Sequence, residues 1–212
     1  MANRYYKFAE GEYYHLYNRG NSKQTIFKNE SDFERFKKLL FIANTDKHFV
    51  FRDYEDENIF DIEREIQLVY VGAYCLMSNH FHLLLTPAVE NGVQKFMLKL
   101  ATGYSSYFNK KYERTGGLFE GSYKAKFVDS DKYLKYLFSY IHLNPYRKVD
   151  HEKLNYINHD VLRQYKHSSL RDYLGEIRDE GKILNKEKFP MYFETIQDNE
   201  RELMEWLDFQ EF

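Results

Sequence analysis

The stretch IQLVYVGAYCLMSNHFHLLLTP, residues 66–87, reads as two β-strands joined by a tight turn. Residues 66–77 are dense in Val, Tyr and Leu, which suit a pleated, half-buried surface. Ser78 and Asn79 supply turn chemistry, and a second strand starts at His80. With two residues between them the strands pair antiparallel, as a hairpin. Side chains alternate along a strand, so Phe81, Leu83 and Leu85 share one face while His80, His82 and Leu84 share the other. Two imidazoles side by side at a strand's start can grip one metal ion. The same spacing also suits a hydrogen-bonded surface pair, and spacing alone leaves both readings open.

Working outward, residues 13–17 read as a strand closed by the turn-rich Asn18-Arg19-Gly20-Asn21. Residues 31–44 read as a helix, with Ser31 as N-cap and an apolar stripe of Phe33, Phe36, Leu39, Leu40 and Ile42. Residues 49–51 suit a short strand, and the acidic run through Asp61 a loop or hairpin tip. Residues 92–112 carry Val93, Phe96, Met97, Leu100, Tyr104, Tyr107 and Phe108 at helical period, and Gly116-Gly117 break the pattern. Residues 124–128 suit a further strand. A helix capped by Asp129 or Ser130 then runs from Asp131 until Pro145 stops it. This order predicts an α+β fold: an antiparallel sheet of four to five strands with helices packed on one face, the ferredoxin-like, RRM-like split βαβ arrangement.

The 212 residues include a single cysteine, Cys75, so no intramolecular disulfide framework exists and a reducing compartment fits. No stretch has the length of a signal-peptide core or a membrane span, so a cytoplasmic, nucleoid-associated protein without membrane contact is expected. The net charge of −2 hides an uneven distribution. Residues 91–150 hold eleven Lys/Arg against five Asp/Glu, and residues 186–212 hold three against eight. Basic residues interleaved with tyrosines suit a phosphate backbone and stacked bases; a solvated helix surface accounts for the charge equally well.

The helix over 131–144 offers the histidines a third group. Leu134, Leu137, Phe138 and Ile141 form one stripe; Tyr133, Tyr136, Tyr140 and Asn144 form another. Asn144 before Pro145 also suits a plain helix end. An amide oxygen with two imidazoles and open water positions would suit Mg²⁺ or Mn²⁺, with Tyr140 one turn back. His142 falls on a different side and reads as a surface histidine near a helix end.

His80-Phe81-His82, followed by Tyr140 in SYIHLNPYRK, resembles the single-tyrosine transposases of the HUH superfamily, most of all the repeat-associated tyrosine transposases, relatives of the smallest insertion-sequence transposases. YHLYNRGNSKQTIF (14–27) is similar to that family's first strand and turn, YFNKKYERTGGLFEGSYKAKFV (107–128) to its helix end and basic hairpin, and YKHSSLRDYLG (165–175) to the segment after the core. The likeness covers roughly 10–175, apart from the acidic stretch near 53–65. Two departures stand out: Ser122 where relatives commonly carry arginine, and Tyr146-Arg147-Lys148 after Asn-Pro.

The resemblance implies a catalytic domain over residues 1–150, with an acidic insertion near 53–65; residues 151–212, whose end lies outside the likeness, read from their own pattern as a helical extension with an acidic tail and not as a separate domain. The resemblance also implies a metal-dependent enzyme that cleaves single-stranded DNA next to a hairpin and rejoins it through a 5′-phosphotyrosine. Tyr140 would be the nucleophile, with Tyr136 next in line, and His80, His82 and Asn144 the ligands of Mg²⁺ or Mn²⁺. By location, Lys95, Lys99, Lys110, Lys111, Arg114, Lys124, Lys126, Arg147 and Lys148 would supply DNA phosphate contacts and Tyr123 a stacking group. Related enzymes act as homodimers or as monomers, and both stay open. Three rivals remain: a non-catalytic single-stranded nucleic-acid-binding module on the same sheet, a metal-dependent phosphodiesterase using water, and a domesticated transposase serving its host.

Overall fold

The computed structural model describes residues 7–51, 58–146 and 163–192. Its four strands are β1 (Tyr14–Arg19), β2 (Val69–Met77), β3 (His80–Pro87) and β4 (Lys124–Phe127). They lie in the order β2-β3-β1-β4, every neighbouring pair antiparallel. Helix α1 (Glu30–Ile42) links β1 to β2, and α2 (Gly92–Lys111) links β3 to β4. This is the expected split βαβ arrangement.

Phe81, Leu83 and Leu85 join Phe36, Leu40, Phe96, Leu100 and Tyr104 in the main core, between the sheet and α1 and α2. Burying each such side chain contributes about 1.5–3 kcal/mol. A one-residue slip of β3 would trade this set for the histidines, so the register is fixed firmly.

The helices do not all share one face. Helix α3 (Asp131–Leu143), capped by the Ser130 hydroxyl accepting from Tyr133 N–H, lies on the opposite side. There Leu134, Leu137, Phe138 and Ile141 pack on Ala73, Cys75, Met77 and Leu84. Strand β3 is therefore buried on both faces. The unbroken run Leu83-Leu84-Leu85 carries that signal, since a half-exposed strand would alternate.

Local differences have local causes. Helix α1 starts at Glu30 because Asn29, rather than Ser31, is its N-cap, and the Asp32 carboxylate accepts from the N–H groups of Lys28 (2.8 Å) and Asn29 (3.3 Å). Residues 49–51 form no strand; Phe49 and Phe51 pack partly buried against the core. The end of the acidic stretch is no hairpin tip either. Ile59–Asp61 form a 3₁₀ turn that buries Ile59 and Phe60, the latter against Phe41. Residues 52–57 lie outside the described residues, as does the acidic tail beyond 192. Among the described residues no helix is long and apolar enough to cross a membrane.

Residues 163–192 cover the outer edge of β2, where unpaired backbone groups would otherwise template association. Leu76 N–H donates to His167 C=O, Ser169 N–H to Tyr74 C=O, and Asn185 N–H to Val71 C=O. At Gly72, beside the bulge in β2, the Phe189 ring lies 2.6 Å from where a Cβ would sit, so any larger residue must displace that ring.

This segment also explains His142, which is not on the surface. It is 2 % exposed, and its Nε2 bonds Ser169 Oγ at 2.8 Å, tying α3 to the strap over β2. Burial pushes its pKa down to about 3, with the Lys186 charge adding to the effect. A histidine held neutral when folded binds a proton only when unfolded. Its stabilising effect is therefore complete above pH 6.5 and lost as pH falls from there toward 3. Between pH 7.5 and pH 5 the loss from this residue should be about 2 kcal/mol. Urea melts at the two pH values should show a gap narrower by about that amount in His142→Gln, which keeps a hydrogen-bonding group without titrating.

Candidate active site

Strand pairing builds the site before any helix reaches it. In the β1–β3 register Tyr17 faces His82 and Arg19 faces His80, so four side chains share the sheet face opposite α1 and α2. Helix α3 crosses this face and ends over it, bringing Tyr140 on its last full turn and Asn144 at its C-cap. Together they line a cleft of about 450 Å³. The Tyr140 ring sits edge-on to His82 (5.6 Å between centroids) and to His15 (5.8 Å). His80 and His82 are 5.0 Å apart with perpendicular rings.

The polar groups around the histidines bear on whether a cation fits. His80 Nδ1 lies 2.7 Å from Asn79 Oδ1, while Asn79 Nδ2 donates to Lys23 C=O at 3.3 Å. The second bond sets the amide's orientation, so Oδ1 accepts from His80 and the imidazole proton is on Nδ1. The lone pair of His80 is then on Nε2, as a ligand requires. Asn144 Nδ2 donates to Tyr140 C=O at 2.8 Å, which leaves Oδ1 as the atom it can offer. Among the described residues no three His, Cys, Asp or Glu side chains come together to hold a cation. The groups that could hold a cation in this cleft are two imidazoles and an amide oxygen, which would leave positions for water and phosphate oxygens. Imidazole nitrogens also suit zinc, so the amide oxygen and the open oxygen positions, not the histidines, are what would admit Mg²⁺ or Mn²⁺.

One histidine of this face was not singled out from sequence. His15, on β1, is buried, and its Nε2 lies 2.8 Å from His82 Nδ1. Burial pushes its pKa down to about 4, and the charge of Lys126 adds to the effect. It lies two residues before Tyr17 on the same strand face, but nothing local shows that this face meets His82.

A family model described as transposase, IS200 like, matches residues 9–144. That span runs from just before β1 to Asn144 and takes in every residue lining the cleft. The chain belongs to the IS200-like transposases.

Among solved structures, this transposase is similar to a REP-associated tyrosine transposase bound to a REP hairpin. The TM-score is 0.52 at 10 % identity, over 91 % of this chain and 99 % of that one, a likeness of fold. No curated protein matches the chain.

The transposase's cleft sorts the basic residues. Lys124 lines it, and Lys126 sits on the same face of β4, its ammonium 4.4 Å from the Tyr133 ring. Arg19, ion-paired with Glu120, and Lys23 also line it, although neither was singled out from sequence. Ser22 and Lys23 hold left-handed conformations (φ 52° and 60°) in the turn that brings Lys23 to the cleft, strain of a kind that concentrates at functional sites.

The cations of α2 are elsewhere, because α2 covers the other face of the sheet. Lys99 donates to the carbonyls of Thr45 and Lys47, and Lys111 is bound to the buried Asp32 carboxylate at 2.6 Å. Arg114 donates to Asn109 Oδ1. Lys95 and Lys110 lie on the same helix, outside the cleft. Tyr123 alternates with Lys124 and so packs against the main core instead of stacking in the site. Tyr136 lies one turn behind Tyr140, its ring tilted by 41° to that of Tyr140, and does not line the cleft, whereas Tyr17 does. Arg147 and Lys148 lie outside the described residues.

Proposed function

We propose that this transposase cuts and rejoins single-stranded DNA beside a hairpin, with Tyr140 as nucleophile. The observation that carries this reading is the cleft. It gathers His80 and His82 from one strand with Tyr140 and Asn144 from a helix some 58 residues on, and rims them with Arg19, Lys23 and Lys124.

His80 Nε2, His82 and Asn144 Oδ1 would hold Mg²⁺ or Mn²⁺. Bound there, such a cation polarises a phosphate oxygen and offsets charge on the departing 3′ oxygen. Tyr140 Oη attacks the phosphorus, a P–O bond to tyrosine forms as the P–O3′ bond breaks, the phenolic proton passes to solvent and the 3′ oxygen takes up a proton. The product is a 5′-phosphotyrosine and a free 3′-hydroxyl. Because one phosphodiester replaces another, a second 3′-hydroxyl can reverse the attack and join strands without a nucleotide cofactor. A phenol with pKa near 10 needs this setting to react near neutrality. Arg19, Lys23 and Lys124 fix the backbone by its phosphates. An unpaired strand fits, because the scissile phosphate must reach groups on a sheet face roofed by α3. A hairpin partner agrees with the solved transposase of this fold, which is bound to one.

The test uses labelled single-stranded oligonucleotides from the DNA flanking the gene, hairpins included, incubated with protein and Mg²⁺ or Mn²⁺ and run on a denaturing gel. Label that travels with the protein, and no longer does so after chelation or in His80→Ala, is the expected result. Binding to these hairpins with no adduct under any metal condition would favour a non-catalytic module.

A further inference from the structure

The pair His15–His82 carries an inference that rests on the metal-site reading above and goes beyond it. The two imidazoles meet through one nitrogen each, His15 Nε2 and His82 Nδ1, at 2.8 Å with the rings inclined by 24°. Two neutral imidazoles can share that contact in two ways. If His82 Nδ1–H donates, the second nitrogen of His82, Nε2, has the lone pair and can ligate. If His15 Nε2–H donates, His82 carries its proton on Nε2 and cannot. His80 faces no such choice at Nδ1, where the partner is an amide oxygen that only accepts. His15 also touches the Tyr140 ring edge-on at 5.8 Å, so it contacts both a candidate ligand and the candidate nucleophile.

We propose that His15 is a positioning residue for the metal site: it accepts the Nδ1–H of His82, fixing that ring's orientation and directing Nε2 to the cation. His15 is buried on a strand paired with β3, so it can hold this bond with little loss of side-chain freedom. Histidine ligands are commonly oriented in this way by an outer acceptor, and removing that acceptor weakens metal binding roughly 10- to 100-fold.

The test reads metal binding rather than catalysis. Mn²⁺ affinity is measured by the paramagnetic resonance signal of free Mn²⁺, for wild type, His15→Phe, His15→Gln and His80→Ala, each with a thermal melt of the metal-free protein. The expected result is a roughly 10- to 100-fold weaker affinity in His15→Phe, recovered at least in part in His15→Gln, whose amide oxygen can accept from His82. Affinity in His15→Phe equal to wild type, with His80→Ala impaired, overturns the role of His15 and leaves the metal site standing. No Mn²⁺ binding by wild type removes the metal site and this role together. Should His15→Phe fail to fold, ¹⁵N spectra of the wild-type imidazoles with Mg²⁺ decide. A proton on His82 Nδ1 supports the proposal, and a proton on His82 Nε2 overturns it.

Discussion

Tyr140→Phe is expected to abolish the protein–DNA adduct and to lower strand cleavage by on the order of 10⁴-fold or more, the scale seen when a nucleophile is deleted. The substitution removes one hydroxyl and keeps the ring that packs edge-on against His15 and His82. The loss of stability should therefore not exceed that of one hydrogen bond, about 1 kcal/mol, and DNA binding should persist. Tyr17→Phe is the necessary comparison, because Tyr17 is the other tyrosine lining the cleft. It should keep the adduct. An adduct lost in Tyr17→Phe and retained in Tyr140→Phe would move the nucleophile to β1. Cleavage retained in both, without adduct in either, would point to water as nucleophile.

Asp32→Ala is expected to destabilise the fold strongly, on the scale of truncating a core aromatic on the same face. The Asp32 carboxylate is fully buried at the start of α1, where it accepts from Lys111 Nζ (2.6 Å), Tyr112 Oη (2.7 Å) and Tyr107 Oη (3.0 Å) as well as two backbone N–H groups. It thereby pins the N-terminus of α1 to the C-terminus of α2. Removing it leaves a half-buried ammonium and several donors without their partner, which costs about 3–5 kcal/mol. In a chain of this size that lowers Tm by roughly 6–20 °C. Burial by itself would raise the Asp32 pKa, but the hydrogen bonds from Lys111, Tyr112, Lys28 N–H and Tyr107 hold it below the usual range. A carboxylate so held stabilises the fold fully above its unfolded pKa, near 4, and loses that contribution as pH falls through the lower folded value. The difference in Tm between wild type and Asp32→Ala should thus be largest at pH 7 and shrink below pH 4. Calorimetry at both pH values checks it, and a difference independent of pH would show that the carboxylate charge is not what stabilises this corner.

The same network shows why basic residues are hard to assign from sequence. Lys99 and Lys111 look like any other lysines on an amphipathic helix. What commits them is a loop after α1 and a carboxylate 79 residues away, and neither relation leaves a trace in the local pattern. Lys23 escaped notice for the converse reason. It sits in a turn, and only the strained backbone of Ser22 and Lys23, with the bond from Asn79, brings it to the cleft.

His80, His82, Tyr140 and Asn144 were legible because each pair is held together by a short period: two residues along a strand, four along a helix. Those periods, with the order of strands and helices, already determine the split βαβ sheet and which side chains travel as a group. Where each group goes was decided by tertiary packing. Leu134, Leu137, Phe138 and Ile141 needed an apolar surface, the face of β2 and β3 opposite α1 and α2 supplied it, and burying that stripe carried Tyr140 over the histidines. His15 reached His82 only through the pairing of β1 with β3 across 67 residues of chain. Side-chain period is a property of neighbours along the backbone and survives in the sequence. Strand partnership and the choice of sheet face are settled by which surfaces bury each other when the whole chain closes.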